Sequence, residues 1–166
     1  MVDIRRFETT DLDQVVAFSL RAWQPVFASV RAVLGDRVFL HLHPDWAAGQ
    51  AEAVRASCAS DGLDVFVADV AGNPVAFAAV ALNAYHQGMG ALEILAVDPD
   101  HQRQGIASAL IAHALRHLRE QGMDIAVVET GGDPGHLPAR AAYEATGFTL
   151  LPIARYFQLL GPQTTA

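Results

Sequence analysis

Three strand-like runs follow one another with no helix between them, and then the hydrophobic period changes. Residues 63–70 (LDVFVADV), 75–83 (VAFAAVALN) and 88–97 (GMGALEILAV) are rich in β-branched and aromatic residues. The stretch AGNP (71–74) is a tight turn that joins the first two as a hairpin, and the third continues as a meander. Immediately afterwards Ile106, Leu110 and Leu118 recur at multiples of four, with Ala107, Ile111 and Leu115 on the neighbouring stripe. That spacing predicts one amphipathic helix over about 104–121, with Gly122 as its stop. MDIAVVET (123–130) returns to strand character and is apolar on both faces. A chain with this order has few options: a mixed sheet flanked by helices.

The remaining segments fit round that centre. VDIRRF (2–7) reads as a strand, and residues 9–35 as helix, with Pro25 expected to break it near Gln24. Residues 43–60 form another helix with Pro44 in its first turn. GGDPGHLP (131–138) is a loop, and ARAAYEAT (139–146) a short helix stopped by Gly147. FTLLP (148–152) and ARYFQLL (154–160) are expected to close the chain as two strands. The predicted fold class is α/β (α+β): a mixed, mostly antiparallel central sheet of about six to seven strands flanked by helices. Residues 1–166 are expected to form one domain.

Composition narrows the partners. The net charge is −7 with histidines neutral, which disfavours a nucleic-acid partner, whose phosphates need a basic face. No apolar run approaches the ~20 residues of a membrane span, and charge near the start argues against a signal peptide. A cytoplasmic protein with no membrane partner is the expectation. Cys58 is the lone cysteine. His41 and His43 lie close together with Asp45 nearby, but no third His or Cys follows at a structural-site spacing, so no metal is expected. His113 and His117 fall off the apolar stripe of their helix and are expected to face solvent. The acidic balance, with Asp36, Asp45 and Asp61 in the first half, permits a polycationic partner.

The entry to the 104–121 helix carries the chemistry. Pro99 to Gln104 is polar and loop-like, and no Ser, Thr or Asp sits in an obvious cap position. The first backbone N–H groups of the helix therefore lack a side-chain acceptor. Gly105 and Ala107 offer no bulk, Arg103 adds a positive charge, and the helix N-terminus adds a partial one. A strand, a tight turn and a bare helix start suit a phosphate or pyrophosphate. The phosphate-loop signature with its Lys is absent, and so is the three-glycine dinucleotide fingerprint.

LAVDPDHQRQGIASALI (95–111) resembles motif A of the GNAT superfamily of N-acetyltransferases, with Gln102, Gly105 and Ala107 at its three characteristic positions. PARAAYEATGF (138–148) is similar to that superfamily's motif B. The resemblance implies acetyl-CoA as cosubstrate and acetyl transfer to a primary amine of a small molecule or peptide, by direct attack through a tetrahedral intermediate. It places the pyrophosphate against Gln102, Arg103, Gln104, Gly105, Ile106, Ala107 and Ser108, and the pantetheine arm beside Leu95, Ala96 and Val97. It implies that Tyr143 lies near the thioester sulfur, where it protonates the leaving thiolate. Two positions depart from the family pattern: Gln102-Arg103 replaces a frequent Arg-Gly, and the Asn often found before the motif B helix is missing around His136.

The acceptor amine must be neutral to attack, so a base is needed, and three candidates stand. Glu93 is a lone carboxylate in an apolar strand; period two puts it on the face of Leu95 and Val97, where burial would raise its pKa, and the alternative is an exposed strand residue on a solvated face. Glu129 ends the following strand. His136 has an unperturbed pKa suited to the task. Trp23, Phe27 and Trp46 are candidates for an acceptor pocket or for plain core packing. A second reading of the whole is a non-catalytic acyl-CoA-binding sensor of the same fold. A homodimer is also an expectation, because the two terminal strands could pair across a two-fold axis.

Overall fold

A computed structural model describes residues 2–161. Its strands lie in the sheet in the order in which they occur in the chain, β1 (Val2–Arg6), β2 (Leu63–Val70), β3 (Asn73–Ala81), β4 (Met89–Val97) and β5 (Ile125–Val128). The first three pairings are antiparallel, and β4 with β5 is parallel. Parallel neighbours need a crossover. Helix α3 (Ile106–Glu120) supplies it, within the span expected from its apolar stripe. Helices α1 (Leu12–Leu42) and α2 (Trp46–Ala59) separate β1 from β2, and α4 (Leu137–Ala145) follows β5.

Both faces of the central strands are covered, which is why β3 is apolar at nearly every position. Its Ala76, Ala78 and Val80 face α3, where they meet Ile106, Leu110, Ile111, Ala114 and Leu118. Its Phe77 and Ala79 face the opposite way, onto Val15 and Phe18 of α1 and Val54 of α2. The small residues on β3 let helices approach closely from either side.

Three expectations are corrected. Pro25 does not break α1; the residue with non-helical angles is Gly35, at φ 73° and ψ 159°. Pro25 sits on an exposed position, where the carbonyl it leaves unpaired is solvated. Gly35 takes a left-handed conformation that other residues resist. Pro44 precedes the cap of α2 instead of entering its first turn; Asp45 is the cap, accepting the Ala48 amide at 3.0 Å. The sheet has five strands among the described residues, not six or seven: residues 149–160 form no strand.

His117 is also not solvent-facing. It is buried, and its Nε2 lies 2.6 Å from Asp64 Oδ2 on β2. The ring lies against Phe66, so a polar residue just off the apolar stripe is drawn under the sheet by a carboxylate. His113 likewise packs on Phe66, and burial holds its pKa below the usual imidazole value.

Gly90 at the start of β4 leaves a hollow that Leu118 of α3 fills. A Cβ at Gly90 would sit inside the van der Waals envelope of Leu118 Cδ2 and 3.0 Å from Cδ1. Leu118 is buried and has little freedom to move. Gly90→Ala is therefore expected to destabilise the fold by about 1–3 kcal/mol in urea unfolding, while Gly49→Ala, in open space, leaves stability unchanged or slightly higher.

Candidate active site

The parallel pairing of β4 with β5 runs only from Met89–Leu92 against Ile125–Val128. β4 then continues for five residues bonded to β3 alone, while the chain after β5 turns away. A wedge opens between the two strands, and one edge of Glu93 to Val97 has no strand beside it. Leu95, Ala96 and Val97 lie along that edge.

A register slip marks where the wedge begins. Val80 pairs with Leu92 and Ala79 with Ile94, so Glu93 is the extra residue of a β-bulge. The slip exchanges the two faces of the strand: Leu92 lies on the α3 side, and so do Leu95 and Val97 beyond it, while Ile94 and Ala96 face α1. Bulges re-aim side chains. Glu93 is consequently exposed, and the alternation that would bury it is interrupted at Glu93 itself. Its carboxylate instead helps line a cleft of ≈ 160 Å³ with Glu129, Tyr85, Ala91, Leu92, Val127 and Val128. Glu93 and Glu129, far apart in sequence, therefore border the same cleft. Tyr85 comes from the β3–β4 loop; the charge of Glu129, desolvation and the charge of Glu93 push its phenol pKa up.

Below Val97 the chain is shaped round the start of α3. The Asp98 amide donates to Val75 O at 2.8 Å, and Gln102 Nε2 donates to Val97 O at 3.1 Å, which ties the loop to the end of β4. Arg103 and Gly105 both take left-handed conformations, at φ 60° and 80°. Gly105 is the N-cap of α3 and supplies no side-chain cap. Among the described residues, the amides of 103–108 have no acceptor within the protein. A Cβ on Gly105 would meet open space, so nothing in the fold fills the ground above these amides. Arg21 of α1 pairs with both nearby carboxylates, Asp98 at 3.1 Å and Asp100 at 2.6 Å, and offsets one of their two charges. Arg103 has no carboxylate partner among the described residues.

Tyr143 of α4 is 9% exposed and packs within the α3-side core, edge-on to Phe148 with ring centroids 5.9 Å apart. Burial pushes its pKa up to about 12. A phenol so placed stays protonated over the range in which enzymes work.

His136 lies elsewhere, in the turn before α4, and is not among the residues lining the cleft. Its Nδ1 is hydrogen-bonded to Asp133 Oδ1. The other oxygen of Asp133 accepts from Ser29 Oγ of α1 at 2.6 Å and from the Gly135 amide at 3.1 Å. Burial raises the Asp133 pKa, but the bonds from Ser29 and His136 and the imidazole charge outweigh it and hold the carboxyl below its usual value. Arg140 donates to the carbonyls of Gly131 and Asp133 at 2.5 and 3.0 Å, closing the loop. A Cβ at Gly131 would collide with the His136 ring, and one at Gly135 with Ser29.

Tyr85, Asp133 and Ser29 were not candidates from sequence. Asp133 in a GGDPGH turn was the one readable signal, as an Asp three residues before a His. Ser29 is 104 residues away and carried none. The aromatic candidates do gather: Phe27 stacks on Trp46 at 4.8 Å and lies 6.4 Å from Trp23. Of the three carboxylates singled out in the chain's first half, Asp36 bonds Arg31 at 2.7 Å and Asp45 caps α2, while Asp61 is exposed with no bonded partner among the described residues.

Residues 35–148 match the family model described as Acetyltransferase (GNAT) family, and the chain belongs to that family. It is 38% identical over 60 residues to the mycothiol acetyltransferase of Saccharomonospora viridis, covering 36% of this chain and 19% of that protein. It is 36% identical over 63 residues to the [ribosomal protein bS18]-alanine N-acetyltransferase of Escherichia coli K12, covering 38% and 41%. The matched stretches thus span less than half of either relative. The solved Escherichia coli ribosomal-protein-S18-alanine N-acetyltransferase superposes with a TM-score of 0.67 at 24% identity, over 96% of this chain and 86% of that one. AAC(6')-Iy in complex with a bisubstrate analog superposes at 0.66 and 21% identity, over 96% and 98%. These two likenesses are of fold.

Among the described residues no group of His, Cys, Asp and Glu could hold a metal, and no helix is long and apolar enough to cross a membrane.

The burial of Tyr143 has a titratable consequence. An unfolded tyrosine ionises near 10, so the unfolded chain loses this proton first as pH rises. The stability tied to the buried phenol is complete below pH 10 and is lost as pH rises through about 12. Absorbance at 295 nm is expected to show one tyrosine still protonated at about pH 11, and that late step is expected to vanish in Tyr143→Phe.

Proposed function

We propose that the chain is an acetyl-CoA-dependent N-acetyltransferase that moves an acetyl group to a primary amine of a small molecule or peptide. The observation that carries this reading is the run of acceptor-less amides at 103–108, contiguous with the unpaired edge of β4 at 93–97. An anion with an extended, amide-bearing arm fits that pair of features. The amides and Arg103 meet a diphosphate, and the free strand edge meets the arm as a neighbouring strand would. When bound, acetyl-CoA supplies an activated acyl thioester at the mouth of the wedge.

The chain's own groups then have distinct tasks. A backbone N–H on the free edge near Leu95 to Val97 donates to the oxygen that gains negative charge as the amine attacks. Tyr143, kept protonated by burial, gives its proton to the departing thiolate and regains one from solvent. Glu93 and Glu129 draw an ammonium group into the cleft and accept the proton that the amine must lose, directly or through water. His136, oriented by Asp133, is the third candidate for that proton. The acceptor is a cation before it reacts, because the charge lining the cleft comes from these two glutamates, and the aromatic cluster of Trp23, Phe27 and Trp46 suits its apolar part.

Thiol release is measured with acetyl-CoA and a panel of amines that includes polyamines, aminoglycosides and peptides with free N-termini, with product confirmed by mass. Acceptor-dependent thiol release is expected for at least one cationic amine. Binding of acetyl-CoA with no such release from any acceptor would point to the sensor reading. Tyr143→Phe is expected to lower turnover about tenfold or more with little change in acetyl-CoA affinity. Glu93→Gln combined with Glu129→Gln is expected to raise KM for a cationic acceptor and to shift the acid limb of the pH–rate profile, while acetyl-CoA binding measured by calorimetry stays as in the parent.

A further inference from the structure

Tyr85 is a large ring that the hydrophobic core leaves out. It is 54% exposed and belongs to neither packed cluster of the fold. Its loop, residues 82–88, is nevertheless pinned. Asn83 Oδ1 accepts from the Gly88 amide at 2.7 Å, and the Ala84 amide donates to Met89 O at 2.9 Å, so the base of the loop is closed. Asn83 and Gly88 both take left-handed angles, at φ 52° and 83°, which lets the chain reverse in so few residues. The ring held on this loop forms one wall of the cleft where β4 and β5 part. The charge of Glu129, desolvation and the charge of Glu93, in that order, push the phenol pKa up, which sets the phenol near both carboxylates and keeps it protonated.

Resting on the acetyltransferase reading above, we propose that Tyr85 is a specificity-determining residue: it is the wall of the acceptor cleft that selects a primary ammonium on an unbranched alkyl arm. The size of the cleft is the first reason. Its ≈ 160 Å³ is comparable to the ~150 Å³ that holds one benzene ring, so roughly six heavy atoms enter. An arm of about four or five methylenes ending in nitrogen fits that space, whereas an amino sugar ring of about twelve heavy atoms does not. Rigidity is the second. Ala91 and Leu92 are paired with Val127 and Val128 on one side and with β3 on the other, so these walls do not part to admit a branch at the carbon that bears the nitrogen. The α-carbon of a peptide N-terminus and a sugar ring carbon are both branched there. The third is the chemistry of the remaining walls. An ammonium in the cleft turns its N–H groups to Glu93 and Glu129 and its charge to the face of Tyr85, and the attraction of a cation to an aromatic face strengthens as water is excluded. The same ring covers the first methylenes of the arm.

The test compares two amines of one composition, n-butylamine and sec-butylamine, which differ only in whether the carbon bearing the nitrogen is branched. Their binding to the full chain is followed by nuclear magnetic resonance through the amides of Leu92, Glu93, Val128 and Glu129, a readout that needs no turnover. Thiol release with acetyl-CoA is measured in parallel. The parent is expected to bind n-butylamine about tenfold or more tightly than its isomer. Tyr85→Ala is expected to bring that ratio close to one by weakening n-butylamine, with circular dichroism as in the parent, whereas Tyr85→Phe keeps the ring and the preference. In the transfer reaction the change in Tyr85→Ala is expected to fall on KM for the amine and not on kcat. A parent that binds the two isomers equally, or binds neither, would overturn the proposal, as would a Tyr85→Ala variant with the parent's preference. A preference for n-butylamine without thiol release supports the selectivity of the cleft and overturns the transferase reading alone. Spermidine and a peptide with blocked ends and one internal Lys carry the same arm, one as a free amine and the other as a protein side chain. Thiol release with either supports the proposal, and release confined to aminoglycosides or peptide N-termini overturns it while the transferase reading stands.

Discussion

The site exists because a parallel ladder stops after four residues. β4 and β5 separate at Leu92 and Val128, and everything of chemical interest lies in or beside the gap. Separation leaves backbone groups of β4 without partners, which a folded protein tolerates only where solvent or a ligand can satisfy them. The bulge at Glu93 makes the separation possible: one extra residue bends the strand, exchanges its faces and turns a carboxylate outward. A strand that continued in register would have buried Glu93 or placed it on the opposite face, and the cleft would have lost one of its two charges.

Electrostatics completes the arrangement by removing competition. A chain of net charge −7 is a poor setting for a diphosphate. Asp98 and Asp100 stand close to the start of α3, where they would repel an anion, and Arg21 from α1 holds both. Arg103 and the six bare amides then act against one remaining negative charge instead of two. The division of charge between the two ends of the wedge is what lets one protein attract an anion at the helix and a cation at the cleft.

Much of the architecture was legible from period and punctuation. The change from period two to period 3.6 located β2, β3, β4 and α3, and Gly122 ended α3 as expected, at φ 77°. The polar loop with Gly105 pointed to the bare helix start before any fold was known. The misreadings have common causes. Pro25 points to a break near Gln24, but α1 runs through it, and the non-helical angles fall at Gly35. Glu93 was assigned a face by strict alternation, and a bulge has no signature in a single sequence. His117 was placed by the helical wheel, while its position is settled by Asp64, 53 residues away. The Asp133–His136–Ser29 cluster and Tyr85 depend on tertiary approach and were beyond local pattern. Residues 149–160 do have strand composition; no sheet within the protomer receives them.

One contact far from the chemistry connects these parts. Leu118 sits in the hollow above Gly90, near the last turn of α3, and Gly105 stands at the other end of the same helix. At 1.5 Å per residue the two positions are about 20 Å apart. The helix is buried along one face and behaves as a rod seated in a socket. Its seating height fixes how far the leading amides stand from the free edge of β4, hence the span a nucleotide thioester must bridge between its phosphates and its reactive carbon. The missing methyl at residue 90 is thus a ruler for a ligand it never touches.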